Sequence, residues 1–148
     1  MGWWSTDIMG GDSPLDFEDE FYNIAGVIKF PERGSKTKLN KETVEKNFDK
    51  FVSVVKKCDY EPEVGWQVLA VIAIGAGANI PISEMAEMKQ ACVNDTWAKE
   101  NNSRKRSVEL LLAALNEYNG TPIVITSKGL FEAINNHISN GNTGLVNK

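Results

Sequence analysis

The sequence predicts an all-α fold, a single compact domain of five to six helices around a buried apolar central helix, with an ordered aromatic N-terminal arm. Three observations carry that prediction. Apolar residues recur at helical spacing in several separate stretches, the run over 64–78 is apolar nearly all round, and capping or chain-breaking residues punctuate the gaps between stretches. A chain of 148 residues with 42% apolar side chains is also large enough to bury a core without a metal or disulfide staple.

The N-terminal arm, residues 1–12, is rich in Gly and aromatic residues. The adjacent Trp3 and Trp4 would be costly to leave in water, so both are expected to dock on the core. Helix one is expected to open at Ser13-Pro14, with Ser13 as cap and Asp16 complementing the dipole. Phe17, Phe21, Ile24 and Ile28 follow at helical spacing and leave Glu18, Asp19 and Glu20 toward solvent. Residues 30–40 read as a basic loop. Helix two is capped by Asn40 and carries the stripe Val44, Phe48, Phe51, Val52 and Val55. Pro62 opens helix three, whose Ala content and length favour a buried helix over a strand.

Past the turn at Pro81, Ser83 is expected to cap helix four, with Met85, Met88, Cys92 and Trp97 inward. Helix five is expected over 104–118, with Val108, Leu111, Leu112, Leu115 and Tyr118 on one face and Gly120 as a stop. Residues 121–125 read as an extended linker or a lone strand. Ser127 can cap a last helix through Leu130, Phe131, Ile134 and Ile138, and 140–148 read as a flexible tail, so the domain is expected to span 1–139.

Composition and motifs exclude more functions than they suggest. The longest apolar run is too short for a bilayer span of about 20 residues. Residues 1–23 carry six acidic and no basic side chains, so no secretory leader is read, and two cysteines fit a reducing, cytoplasmic setting. Gly75-Ala76-Gly77 is followed by Ile80-Pro81 rather than by the third glycine of a dinucleotide fingerprint, and is read as a helix end. Met1-Gly2 with Thr6 formally fits N-myristoylation, but two tryptophans after the glycine fit it poorly and no polybasic patch adjoins. His137 has no Cys or acidic motif beside it, and no cofactor, metal site or catalytic constellation is expected.

The charge is segregated. Nine of the sixteen basic residues fall within 29–57, whereas the start of the chain is acidic. The first expectation is therefore a small cytoplasmic binding or regulatory protein that masks a partner protein, with Asp16, Asp19 and Glu20 as partner-binding residues on a face without a basic side chain in its own segment; the same face could instead clasp the chain's own basic 36–57 region or simply be solvated. Two alternatives stand beside it. One is a metal-assisted enzyme with a carboxylate site built from Asp12, Asp16 and Asp19. The other is a nucleic-acid binder using the basic 36–57 segment or Arg104-Lys105-Arg106, a run whose default reading is a solvated helix start.

Met1-Gly2-x-Trp4 followed by Asp12-Ser13-Pro14-Leu15-Asp16-Phe17 resembles the opening of a widespread group of short bacterial and phage proteins of unknown function. Members of that group begin Met-Gly-x-Trp-Gly-x-Gly and start the first helix with an Asn-Asp and an Ala-x-Asp-Phe element. The order of an Ala-rich apolar helix, a Pro turn, an internal Trp (Trp97) and a final Ser-x-Leu helix (Ser127 to Leu130) is also similar. This chain departs in having Ser5 and Asp7 where the group has glycines, Gly10-Gly11 before Asp12, and the basic loop at 30–40. The resemblance is specific over the first seventeen residues. It implies a helical fold and a bacterial or phage origin, and no reaction.

Overall fold

The computed structural model describes residues 3, 5–26, 39–58 and 62–123. These form five helices: α1 (Asp12–Ala25), α2 (Lys41–Lys57), α3 (Pro62–Ala76), α4 (Ile82–Val93) and α5 (Asn102–Glu117). Among the described residues there is no strand; the one β-type pairing is an isolated antiparallel bridge between Trp3 and Gly11 that folds the arm back on itself. Trp4, most of the basic loop, the expected last helix with His137, and the expected tail at 140–148 lie outside the described residues.

Helix α3 is the centre, and the reason is its composition. Val64 to Val71, Ala73 and Ile74 are all buried, so no face of the helix is left for water. It touches every other helix: α1 and α2 pair with each other and pack on it from one side, while α4 and α5 pair on the other. At Gly65 the approach is closest, since a Cβ there would lie 2.9 Å from the Phe17 ring of α1 and 3.1 Å from Val55 of α2. Phe21 and Phe51 continue that seam with ring centroids 5.0 Å apart, within the range of favourable aromatic pairing.

Helix α2 follows the expected pattern in full. The side chain of Asn40 accepts from the Thr43 N–H at 2.8 Å, and the stripe Val44, Phe48, Phe51, Val52 and Val55 is buried. The starts of α1 and α4 differ from expectation. Helix α1 begins at Asp12 with Gly11 as N-cap and no side-chain cap bond. Ser13 is thus inside the first turn, and the buried Pro14 occupies the third position, where its missing N–H is one of the amides that a helix start leaves unpaired anyway. Helix α4 begins at Ile82 with Pro81 as N-cap, and Ser83, two residues past the cap position, turns its hydroxyl to Glu84 at 2.7 Å.

The end of α3 explains the glycine pair beyond it. Gly77 has φ +72°, a left-handed conformation that only glycine adopts freely, and its N–H bonds to Ile74 O at 3.3 Å. The chain after α5 returns to the same point: the Ile123 N–H donates to Ile74 O at 2.8 Å, and the Tyr118 hydroxyl donates to Ala78 O at 2.6 Å. Of the expected linker or strand at 121–125, residues 121–123 are not a strand, with Thr121 and Pro122 exposed and Ile123 buried, and 124–125 lie outside the described residues. Glu45 of α2 accepts from the Asn79 N–H at 2.7 Å and from Lys41 at 2.9 Å, and these contacts lower its carboxyl pKa.

Candidate functional site

Spacing along α1 sets the first site. Asp16 and Glu20 are one turn apart and exposed, and the half-buried Phe17 lies between them in sequence. Because α1 packs along α2, the pair opens onto a groove completed by Ser13 and, from the end of α2, by Val54, Lys57 and Cys58. The groove has a volume of about 280 Å³ and is lined by the apolar Phe17 and Val54 and by three charged residues, Asp16, Glu20 and Lys57. Of the three carboxylates read from the sequence as one face, the structure brings Asp16 and Glu20 together there. Asp19 is exposed and does not line the groove.

Asp12, Asp16 and Asp19 follow one another along α1, yet among the described residues no three His, Cys, Asp or Glu side chains gather as metal ligands. On α2, the exposed Lys46 and Lys50 are interleaved with Glu42, Glu45 and Asp49, so this helix presents no continuous basic stripe. The described part of the 36–57 segment is in this sense mixed in charge.

A second cluster was invisible to the sequence reading, and it corrects one expectation. Arg104 is not a solvated residue at a helix start: it is 1% exposed, the largest fully buried side chain among the described residues. Helix α5 begins two residues earlier than expected, with the Asn101 side chain accepting from the Arg104 N–H at 2.9 Å. That start turns Arg104 inward, on the same stripe as Val108, Leu111 and Leu115 at i+4, i+7 and i+11. The spacing was present in the sequence; the charge concealed it. Lys105 and Arg106 remain exposed.

The buried guanidinium is fully provided for. Asp95 Oδ2 accepts from Arg104 Nε at 3.1 Å and from Nη2 at 2.9 Å, and Gln67 Oε1 accepts from Nη2 at 2.9 Å. Gln67 in turn donates to Asp95 at 3.0 Å and to Ala91 O at 3.2 Å, while the Ala98 N–H holds the other Asp95 oxygen at 2.8 Å. No buried side-chain nitrogen or oxygen among the described residues lacks a partner. Burial alone raises the pKa of Asp95, but the hydrogen bonds from Arg104 and Gln67, the charge of Arg104 and the Ala98 N–H outweigh it and leave the carboxyl below its ordinary value. The neighbouring Cys92 goes the other way: burial, with Asp95 adding to it, pushes its thiol up to about 12.

The aromatic residues complete this cluster. Trp97 lies with its ring 5.0 Å from the guanidinium carbon and Trp3 with its ring 5.1 Å away, the two indoles meeting at an interplanar angle of 67°. The arm is thus ordered by an arginine, and its Trp3 docks on α5 and the α4–α5 turn. The arrangement is that of a compact helical domain with a groove between α1 and α2 that carries two carboxylates and one lysine, and a buried ionic anchor elsewhere. The chain matches no family model, and no curated protein or solved structure is significantly similar to it. No helix among the described residues is long and apolar enough to cross a membrane.

Proposed function

We propose that this chain is a small cytoplasmic binding protein, a bacterial or phage accessory factor that masks a basic segment of a partner protein in the α1–α2 groove. The observation that carries the reading is the convergence of Asp16 and Glu20, two carboxylates against one cation, Lys57, with Phe17 and Val54 on one groove. Phe17 and Val54 give a docked segment somewhere to bury side chains, and the two carboxylates, in excess over Lys57, select lysine or arginine beside them while steering its approach. The exposed positions of both carboxylates favour a contribution to association rate and selectivity over a large share of affinity. Two free thiols, Cys58 half-buried and Cys92 buried, accord with a reducing compartment.

Affinity capture from the native host, with the full chain and with its Asp16→Lys/Glu20→Lys variant, tests this. A partner held by the first and lost by the second, with its capture weakening as salt rises, is the expected result. Retention of the same partner by the charge-reversed chain at unchanged salt dependence would remove the groove from the interaction.

A further inference from the structure

The helical body holds Arg104 from one side only. Its Nε and Nη2 are occupied by Asp95 and Gln67, side chains that belong to the body and are themselves pinned by Ala98 N–H and Ala91 O. The remaining terminal nitrogen, Nη1, is turned to the arm, where it donates to two main-chain carbonyls, Thr6 O at 3.3 Å and Asp7 O at 3.1 Å. Trp97 of the body lies against the same guanidinium, and Trp3 of the arm meets both groups. The arm adds one more apolar anchor, Ile8, which is 2% exposed. Its bend is closed by its own backbone bonds, Ser5 N–H to Gly10 O at 3.2 Å and Gly10 N–H to Asp7 O at 3.1 Å.

Recognition of this kind reads the main chain and not the side chains at positions 6 and 7. A guanidinium with two acceptors fixed by a carboxylate and an amide is preorganised before the arm arrives, so little ordering remains when carbonyls approach it. The indole of Trp97 supplies a flat apolar wall for a second ring. What the site selects is therefore a shape: an aromatic side chain, two inward carbonyls three and four residues later, and an apolar side chain directly after them.

We propose that Arg104 Nη1 and Trp97 form a peptide-binding site that the chain's own arm occupies in cis, and that accepts in trans a short bent peptide of the same pattern, Trp-x-x-x-x-Ile with the carbonyls of the two residues before Ile facing inward. The arm is then an intramolecular competitor. This proposal is independent of the α1–α2 groove, which shares none of its residues.

The test uses a fluorescein-labelled synthetic peptide with the sequence of residues 1–12 and the full chain, followed by fluorescence anisotropy. The wild-type chain binds the peptide weakly because its own arm fills the site. The full-length Trp3→Ala chain, whose arm competes less well, binds it at least about tenfold tighter, as expected when the fraction of open site rises by that factor. The same peptide carrying Trp3→Ala binds this chain at least about tenfold more weakly. Circular dichroism checks that the variant chain is folded, and a Trp3→Leu chain replaces it if the alanine variant is not. No binding of the native-sequence peptide to the folded arm-weakened chain, or equal binding of the two peptides, overturns the proposal.

Discussion

Truncating Asp95 to alanine is the perturbation that most directly tests the buried anchor. The aspartate is 6% exposed and accepts four hydrogen bonds, two from Arg104, one from Gln67 and one from the Ala98 N–H. In the Asp95→Ala chain the guanidinium stays buried with Gln67 Oε1 and two arm carbonyls as its acceptors, and no counter-charge. Removing one partner of a buried ion pair costs about 3–5 kcal/mol, chiefly because the other charge is left in a poorly solvating place. The Gln67 amide keeps Ala91 O as an acceptor, so its loss adds little. Set against a domain stability of about 5–15 kcal/mol, the change is severe but not always fatal. Urea unfolding followed by circular dichroism reads it as a lower midpoint at unchanged slope. A second arm, Asp95→Ala/Arg104→Met, removes the stranded charge as well and should lose at least about 1 kcal/mol less than the two single variants added together. A loss below about 1 kcal/mol for Asp95→Ala alone would refute the reasoning, because it would mean that Arg104 reaches water or another anion at small cost.

Three further outcomes follow from the same structure. The lowered pKa of Asp95 makes its pair a pH-dependent contribution, present above the unfolded carboxylate value near 3.8 and lost as pH falls through the folded value; acid melts of the Asp95→Asn chain should accordingly be flatter below pH 4 than those of the wild type. Gly77→Ala should destabilise by more than about 1 kcal/mol in thermal or urea melts, since φ is +72° and the new Cβ would meet Pro122 at 2.9 Å and Gly120 O at 3.1 Å. Cys92, with its thiol pushed up to about 12 and 4% exposed, should resist iodoacetamide in the native chain at pH 8 and react after denaturation, which a mass count of alkylated thiols distinguishes.

The legibility of this protein in its sequence differed by element. Helix α2 was readable to the residue, because an asparagine cap and an unbroken stripe of five apolar side chains are local signals and the structure uses both. The burial of α3 was readable for the opposite reason, the absence of any polar face. The starts of α1 and α4 were misplaced by two residues, since Ser13 and Ser83 are good caps in isolation but fall inside the first turn once Gly11 and Pro81 take the cap position. Of the proposed partner-binding residues, Asp16 and Glu20 proved to share a groove whose other wall, Val54 and Cys58, comes from a helix that no spacing rule relates to them.

For the five described helices, the sequence by itself determined their existence and their apolar faces, and that α3 is central, because those properties depend on neighbours within four residues and on the 3.6-residue period. Only the tertiary structure decided that Arg104 lies inside. A buried cation is tolerable when an anion, an amide and main-chain carbonyls converge on it, and here they arrive from Asp95, Gln67, Thr6 and Asp7, separated from it in the chain by 9, 37, 98 and 97 residues respectively. Desolvation would otherwise drive the same residue, in the same helix, to the surface.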